Sequence, residues 1–230
     1  QLEKLNLDDI KPSSRKYPFV VFKPEREAGD QILKVENLSK TIDGVKVLDR
    51  VSFQLDRGDK AVFIGDTELA PTTLYRILMD EIPADSGTFR WGITTSRSYF
   101  PKDNASYFDG KDITLIDWLK QYSPIDQTET FVRGFLGRML FSGEEATKKT
   151  RVLSGGERVR CMLARMMLVE ANVVILDGPT NHLDLESITA TNNALIKFPG
   201  TVLFSSHDQQ FIQTVATRVI EVGAKGVVNH

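Results

Sequence analysis

The sequence predicts an α/β fold: a parallel sheet flanked by helices, with a small antiparallel β subdomain and a helical subdomain. Three observations predict it. The later part of the chain alternates short apolar runs with amphipathic stretches, the pattern of parallel strands joined by helical crossovers. The earlier part, from Ile32, runs strand after strand between turn signals. Hydrophobic residues are 41% of the 230 and charged residues 26%, which is enough apolar material for a substantial core in a globular protein.

Residues 1 to 29 read differently from the rest. Leu2, Leu5 and Leu7 lie among charges like the tail of a helix, and Lys11-Pro12-Ser13-Ser14 breaks it, because proline lacks the donor and restricts its predecessor. Tyr17 to Phe22 is apolar, Pro24 to Gly29 is charged and turn-like, and the near balance of acids and bases suits a solvated connector. Residues 30 to 230 read as one domain. Strands are expected over Ile32 to Leu38, Val45 to Leu55 (after the turn at Asp43-Gly44), and Gly87 to Trp91. Lys60 to Ile64 is a continuous apolar strand that runs into Gly65 and a helical pattern at Leu74, Ile77 and Leu78. A helical subdomain is expected over about 103 to 165, with helices at Leu115 to Gln121 and Thr128 to Leu140. After Ser154, the residues Val159, Met162, Leu163, Met166 and Met167 share one helical face. Strands at Val173 to Leu176, Thr201 to Phe204 and Arg218 to Val222 then alternate with helices at Glu186 to Lys197 and Gln209 to Thr217.

Composition narrows the function. Lys and Arg total 29 against 31 Asp and Glu, a net charge of −2, which argues against a strongly cationic nucleic-acid binder. Cys161 is the lone cysteine, so no internal disulfide forms, and no Cys/His cluster has metal-ligand spacing. No apolar run approaches the ~18 residues of a membrane span, and no signal peptide is present. These features predict a cytoplasmic chain. It starts at Gln1 and stops just after the apolar stretch at Gly226 to Val228, which suggests a segment of something longer.

Three stretches carry chemistry. In Leu153-Ser154-Gly155-Gly156-Glu157, Ser154 and Glu157 have capping-box spacing. The two glycines would equally let an anion approach a helix N-terminus. The strand Val173 to Leu176 delivers Asp177 to its C-terminal end, where α/β proteins place ligand chemistry, and Pro179 to Asp184 follows. Ser205-Ser206-His207-Asp208 brings His207 to the same edge.

Taken together, the signature Leu153 to Glu157, the Walker B strand ending at Asp177, the D-loop at Asn181, His182, Leu183 and Asp184, and the switch His207 resemble an ATP-binding cassette domain over about Ile32 to Val228. The resemblance implies a P-loop NTPase-type sheet, a helical signature subdomain, and ATP with Mg2+ as cofactors. Pro179 to Asp184 and the preceding Lys11 to Arg15 look like the F subfamily, whose members carry two cassettes on one chain, have no membrane domain and act on ribosomes. By that likeness this chain is the second cassette with the end of the interdomain linker. Its partners would be the first cassette, the ribosome and, through a linker helix near Gln1 to Ile10, tRNA.

The chain departs from that family where the family holds phosphate. A P-loop reads G-x-x-x-x-G-K-[ST], and here the matching residues are Gly65, Asp66, Thr67, Glu68, Leu69, Ala70, Pro71 and Thr72, followed by Thr73. Ala70 stands for a glycine and Pro71 for the lysine, a substitution a first helical turn tolerates. Losing one charge-assisted contact, worth roughly 1.5–3 kcal/mol, should weaken binding by roughly ten- to a hundredfold. Asp66 and Glu68 add acids to a loop meant for an anion. Gly178 replaces the glutamate that activates water, a loss of about 10²–10⁴ in rate. Lys102 stands at the Q-loop glutamine, and the adenine-stacking ring is missing near Ile42. Thr72 and Asp177 remain as Mg2+ contacts and His207 as the γ-phosphate sensor. The expectation is a domain that is nearly inactive alone and supplies Leu153 to Glu157 to the partner cassette's ATP. Two other readings stay open: the ATPase subunit of a membrane transporter, and an interaction domain that no longer engages nucleotide.

Overall fold

The hairpin turn at Asp43-Gly44 sets the first part of the fold. Both residues take left-handed backbone angles, φ 51° and 79°, as a two-residue type I′ turn requires, and Ile42 faces Val45 across it. This closes β1 (Gln31–Ile42) onto β2 (Val45–Asp56). The computed structural model describes residues 17–110, 112–123, 128–181 and 183–229, so the expected helix near Gln1 to Ile10 and the D-loop His182 lie outside the described residues. β3 (Lys60–Ile64) leaves the hairpin for a second sheet and leads into α1 (Leu69–Leu78). β4 (Ser86–Trp91) returns to β1, giving a three-stranded antiparallel sheet ordered β2-β1-β4.

β5 (Arg97–Phe100) was not expected as a strand. Four residues are too few to show a period, and β5 is fixed by parallel pairing to a strand that starts 76 positions later, Arg97 facing Val173. The helical subdomain follows, with α2 (Leu115–Lys120), α3 (Glu129–Arg138) and α4 (Gly155–Val169). The expected helix to Leu140 stops two residues short, because Leu140 turns to φ 69°. The predicted stripe on α4 is buried at all five positions.

The rest alternates as expected: β6 (Val173–Asp177), α5 (Leu185–Lys197), β7 (Thr201–Ser205), α6 (Gln209–Val215) and β8 (Arg218–Gly223). β9 (Gly226–Asn229), which the sequence showed only as an apolar stretch, pairs antiparallel with β8. The second sheet is ordered β5-β6-β7-β3-β8-β9 and is parallel up to β8.

Alternation along the central strands divides the core in two. Val62, Val174, Leu176, Val202 and Phe204 pack with α2 to α6 on one face. Ala61, Phe63, Val173, Ile175 and Leu203 pack with the hairpin and α1 on the other. Residues 17 to 28, expected as a solvated connector, lie extended against the domain. Tyr17, Phe19 and Val21 face out, while Val20 and Phe22 join the core, Phe22 meeting Phe198 edge-on at 6.1 Å. Among the described residues no helix is long and apolar enough to cross a membrane.

Candidate functional site

Four parallel strands end at one place, and their following loops make a pocket. Gly65, Thr67, Glu68 and Pro71 come from the turn after β3, Lys102 from beyond β5, Asp177, Gly178 and Asn181 from the end of β6, and Ser205, Ser206 and His207 from the end of β7. This is the edge where open α/β sheets bind ligands. Gly65 is required there by space: a Cβ would lie 2.7 Å from the Val222 carbonyl oxygen on β8.

Asp177 is the buried acid of the pocket, 3% exposed. Burial raises its pKa above the ordinary carboxylate value, against two hydroxyl groups that stabilise the charge. Thr72 Oγ1 donates to Oδ2 at 2.7 Å and Ser205 Oγ to Oδ1 at 2.8 Å. Ser205 Oγ in turn accepts from the Gly178 amide at 3.2 Å. Ser205 and Ser206 were not singled out by sequence reading as site residues; their place directly before His207, at the end of an apolar strand, was the available signal. Gly178 takes φ 62°, and a Cβ there would lie 2.9 Å from Asn181 Nδ2, so the D-loop amide fills the space beside it.

At the mouth of the pocket the loop acid Glu68 spans two basic side chains. One carboxylate oxygen accepts from Lys102 Nζ, and the other accepts from His207 Nε2 at 2.5 Å. These contacts, led by Lys102, hold the Glu68 carboxyl below its ordinary range. The second loop acid departs from expectation. Asp66 does not line this pocket but turns toward Gly223 and Lys225 on the β8–β9 side. Leu69 is exposed, while Ala70 and Thr73 are buried in the helix start.

The lining can be weighed against ATP and Mg2+. Thr72 and Asp177 present adjacent hard oxygen donors from α1 and β6, which suit a magnesium ion. The phosphate side suits its ligand less well. Pro71 offers neither a cation nor an amide, the Ala70 amide is given to the Thr67 carbonyl at 3.2 Å, and Glu68 already sits on both basic groups. The residues present fit the cation and do not fit a triphosphate while Glu68 holds that place.

The signature residues lie away from this pocket, at the start of α4. Ser154 Oγ accepts from the Glu157 amide at 3.3 Å and Glu157 Oε2 accepts from the Ser154 amide at 2.8 Å, a complete capping box. Lys148 Nζ donates to the free Glu157 oxygen at 2.9 Å. Burial would raise the Glu157 pKa, but Lys148 and the two contacts with Ser154 outweigh it and bring it to about 2. Of the D-loop, Asn181 lines the pocket, Leu183 packs on the core, and Asp184 caps α5 by accepting from the Ser187 amide at 2.7 Å.

Comparison with known proteins gives the family and the fold. A family profile described as "ABC transporter" matches residues 48–181, more than half of the chain. The uncharacterised ABC transporter ATP-binding protein YkpA of Bacillus subtilis (strain 168) is 66% identical over 228 residues, covering 99% of this chain and 42% of that protein. The energy-dependent translational throttle protein EttA of Escherichia coli (strain K12) is 33% identical over 210 residues, 89% of this chain and 37% of that protein. The chain thus spans less than half the length of these relatives. A solved ATP binding subunit of an ABC transporter superimposes with a TM-score of 0.73 at 19% identity, over 86% of this chain and 89% of that one, which shows the shared α/β fold. The chain belongs to the ABC transporter family, as an ATP-binding cassette domain.

Proposed function

We propose that this chain is the second cassette of an F-type, two-cassette ATPase, and that it works chiefly by lending Leu153 to Glu157 to an ATP held in the first cassette. The observation that carries the reading is the contrast between two helix starts. The start of α4 keeps its glycines and its cap, so amides and dipole can face an anion. The start of α1 has Pro71 in place of the lysine and Glu68 over the basic groups. On this reading its own site binds ATP weakly and, with Gly178 in place of a base, hydrolyses it negligibly. Residues 1 to 29 would be the end of the interdomain linker and 30 to 230 the cassette. The likeness to a protein named a translational throttle supports a role in translation, with the ribosome as a partner; tRNA at the linker and a cytoplasmic setting belong to the same proposal.

Two measurements test it. Ser154→Arg in the full-length protein should suppress ATP hydrolysis, because a bulky cation blocks the lent helix start; normal turnover would end the proposal. Sedimentation of the same protein through sucrose should carry it with ribosomes, whereas recovery with membranes would favour a transporter subunit.

A further inference from the structure

We propose that Glu68 is a resident anion of its own pocket: its carboxylate occupies the position between Lys102 and His207 that a phosphate-bearing ligand would need, so that such a ligand binds there only by displacing it. The inference deepens the reading above and rests on it in taking phosphate as the ligand class.

The contact joins three separate elements. Glu68 precedes α1, Lys102 follows β5 and His207 follows β7, so the partners lie 34 and 139 positions away along the chain. A carboxylate has two oxygens, and each is engaged by a different donor. In charge and in acceptor geometry this is what a phosphate oxygen pair would offer the same two groups. Among the residues that line the pocket, only Lys102 and His207 can carry positive charge, and the other acid, Asp177, is already held by Thr72 and Ser205. With Glu68 in place, an incoming phosphate finds Lys102 and His207 both engaged and two carboxylates beside them. This effect is separate from the missing lysine at Pro71: one removes attraction, the other adds a competitor. The three side chains are open to water at 53%, 37% and 74%, so the ion pairs contribute little to folding, and their removal should leave the fold intact.

The test titrates the chain with inorganic phosphate and follows the His207 imidazole by nitrogen NMR, assigned with a His207→Asn control. The unaltered chain should show little response. Glu68→Gln, which keeps the shape and removes the charge, should bind phosphate about tenfold more tightly or better, with an unchanged melting temperature. Glu68→Ala should do the same, which guards against an effect peculiar to the amide. Adding Lys102→Met to Glu68→Gln should abolish the gain. The proposal is overturned if both Glu68 variants respond like the unaltered chain, or if the gain survives loss of Lys102. ATP turnover by the unaltered chain would instead refute the silent-site reading and leave the phosphate result standing.

Discussion

Asp177 carries a buried charge that two hydroxyl groups only partly offset, and its stability follows from that. Its folded pKa is raised, so the folded chain holds the proton more tightly than the unfolded chain, and the ionised form destabilises above that pKa. Asp177→Asn should therefore stabilise the fold at neutral pH by of order 1 kcal/mol, seen as a higher melting temperature. The gain should fade as pH drops through the elevated pKa, where the aspartate takes up its proton. Thermal scans across an acid-to-neutral pH series check this, and a gain that stays constant would refute it. Individual residues were legible in the sequence where their role is local or set by strand order: Gly65, Asp177 and His207 arrive at the pocket as expected. Glu68 was legible as an acid in the wrong loop, but not its contacts, since no local pattern links positions 68, 102 and 207.

At the scale of the element, α4 shows how one cap serves two ends. Glu157 has a depressed pKa of about 2 against an ordinary 4.5, so the stability it contributes is complete above about 4.5 and is lost as pH falls toward about 2. Glu157→Gln should cost about 1 kcal/mol at neutral pH, because glutamine can still close the capping box but loses the charge paired with Lys148, with the difference from the unaltered chain closing in that acid window. Urea unfolding at several pH values measures it; an equal difference at low pH would show that the charge is idle. The periodicity of α4 was plain because fifteen residues show a stripe repeatedly. β5 and β9 were missed because four-residue strands are specified by their neighbours, β6 and β8, rather than by their own pattern.

For the whole molecule, the second sheet separates two cores and joins them mechanically. The chain has two tryptophans, one for each side: Trp118, fully buried and stacked on Phe108 at 4.8 Å, belongs to the helical face, and Trp91 packs at the hairpin face. Because each central strand feeds both cores with alternate residues, neither can melt alone. Trp91→Phe and Trp118→Phe chains should give coincident urea transitions by fluorescence, and separated midpoints would mean that the faces unfold independently. Ile175→Ala and Leu176→Ala, on opposite faces of β6, should each lower that common transition by about 2–4 kcal/mol. That the central strands are covered on both faces was visible in their continuous apolar runs; which core each face serves was not, because that depends on strand order rather than on any one strand.

The neighbourhood of Gly178 bears on engineering. Its backbone sits where side chains are strained, and the Asn181 side-chain amide lies 2.9 Å from where a Cβ would stand. An acid placed at 178 would push aside only the swinging end of the Asn181 side chain, so the left-handed backbone at 178, rather than its neighbour, sets the toll for any side chain introduced there.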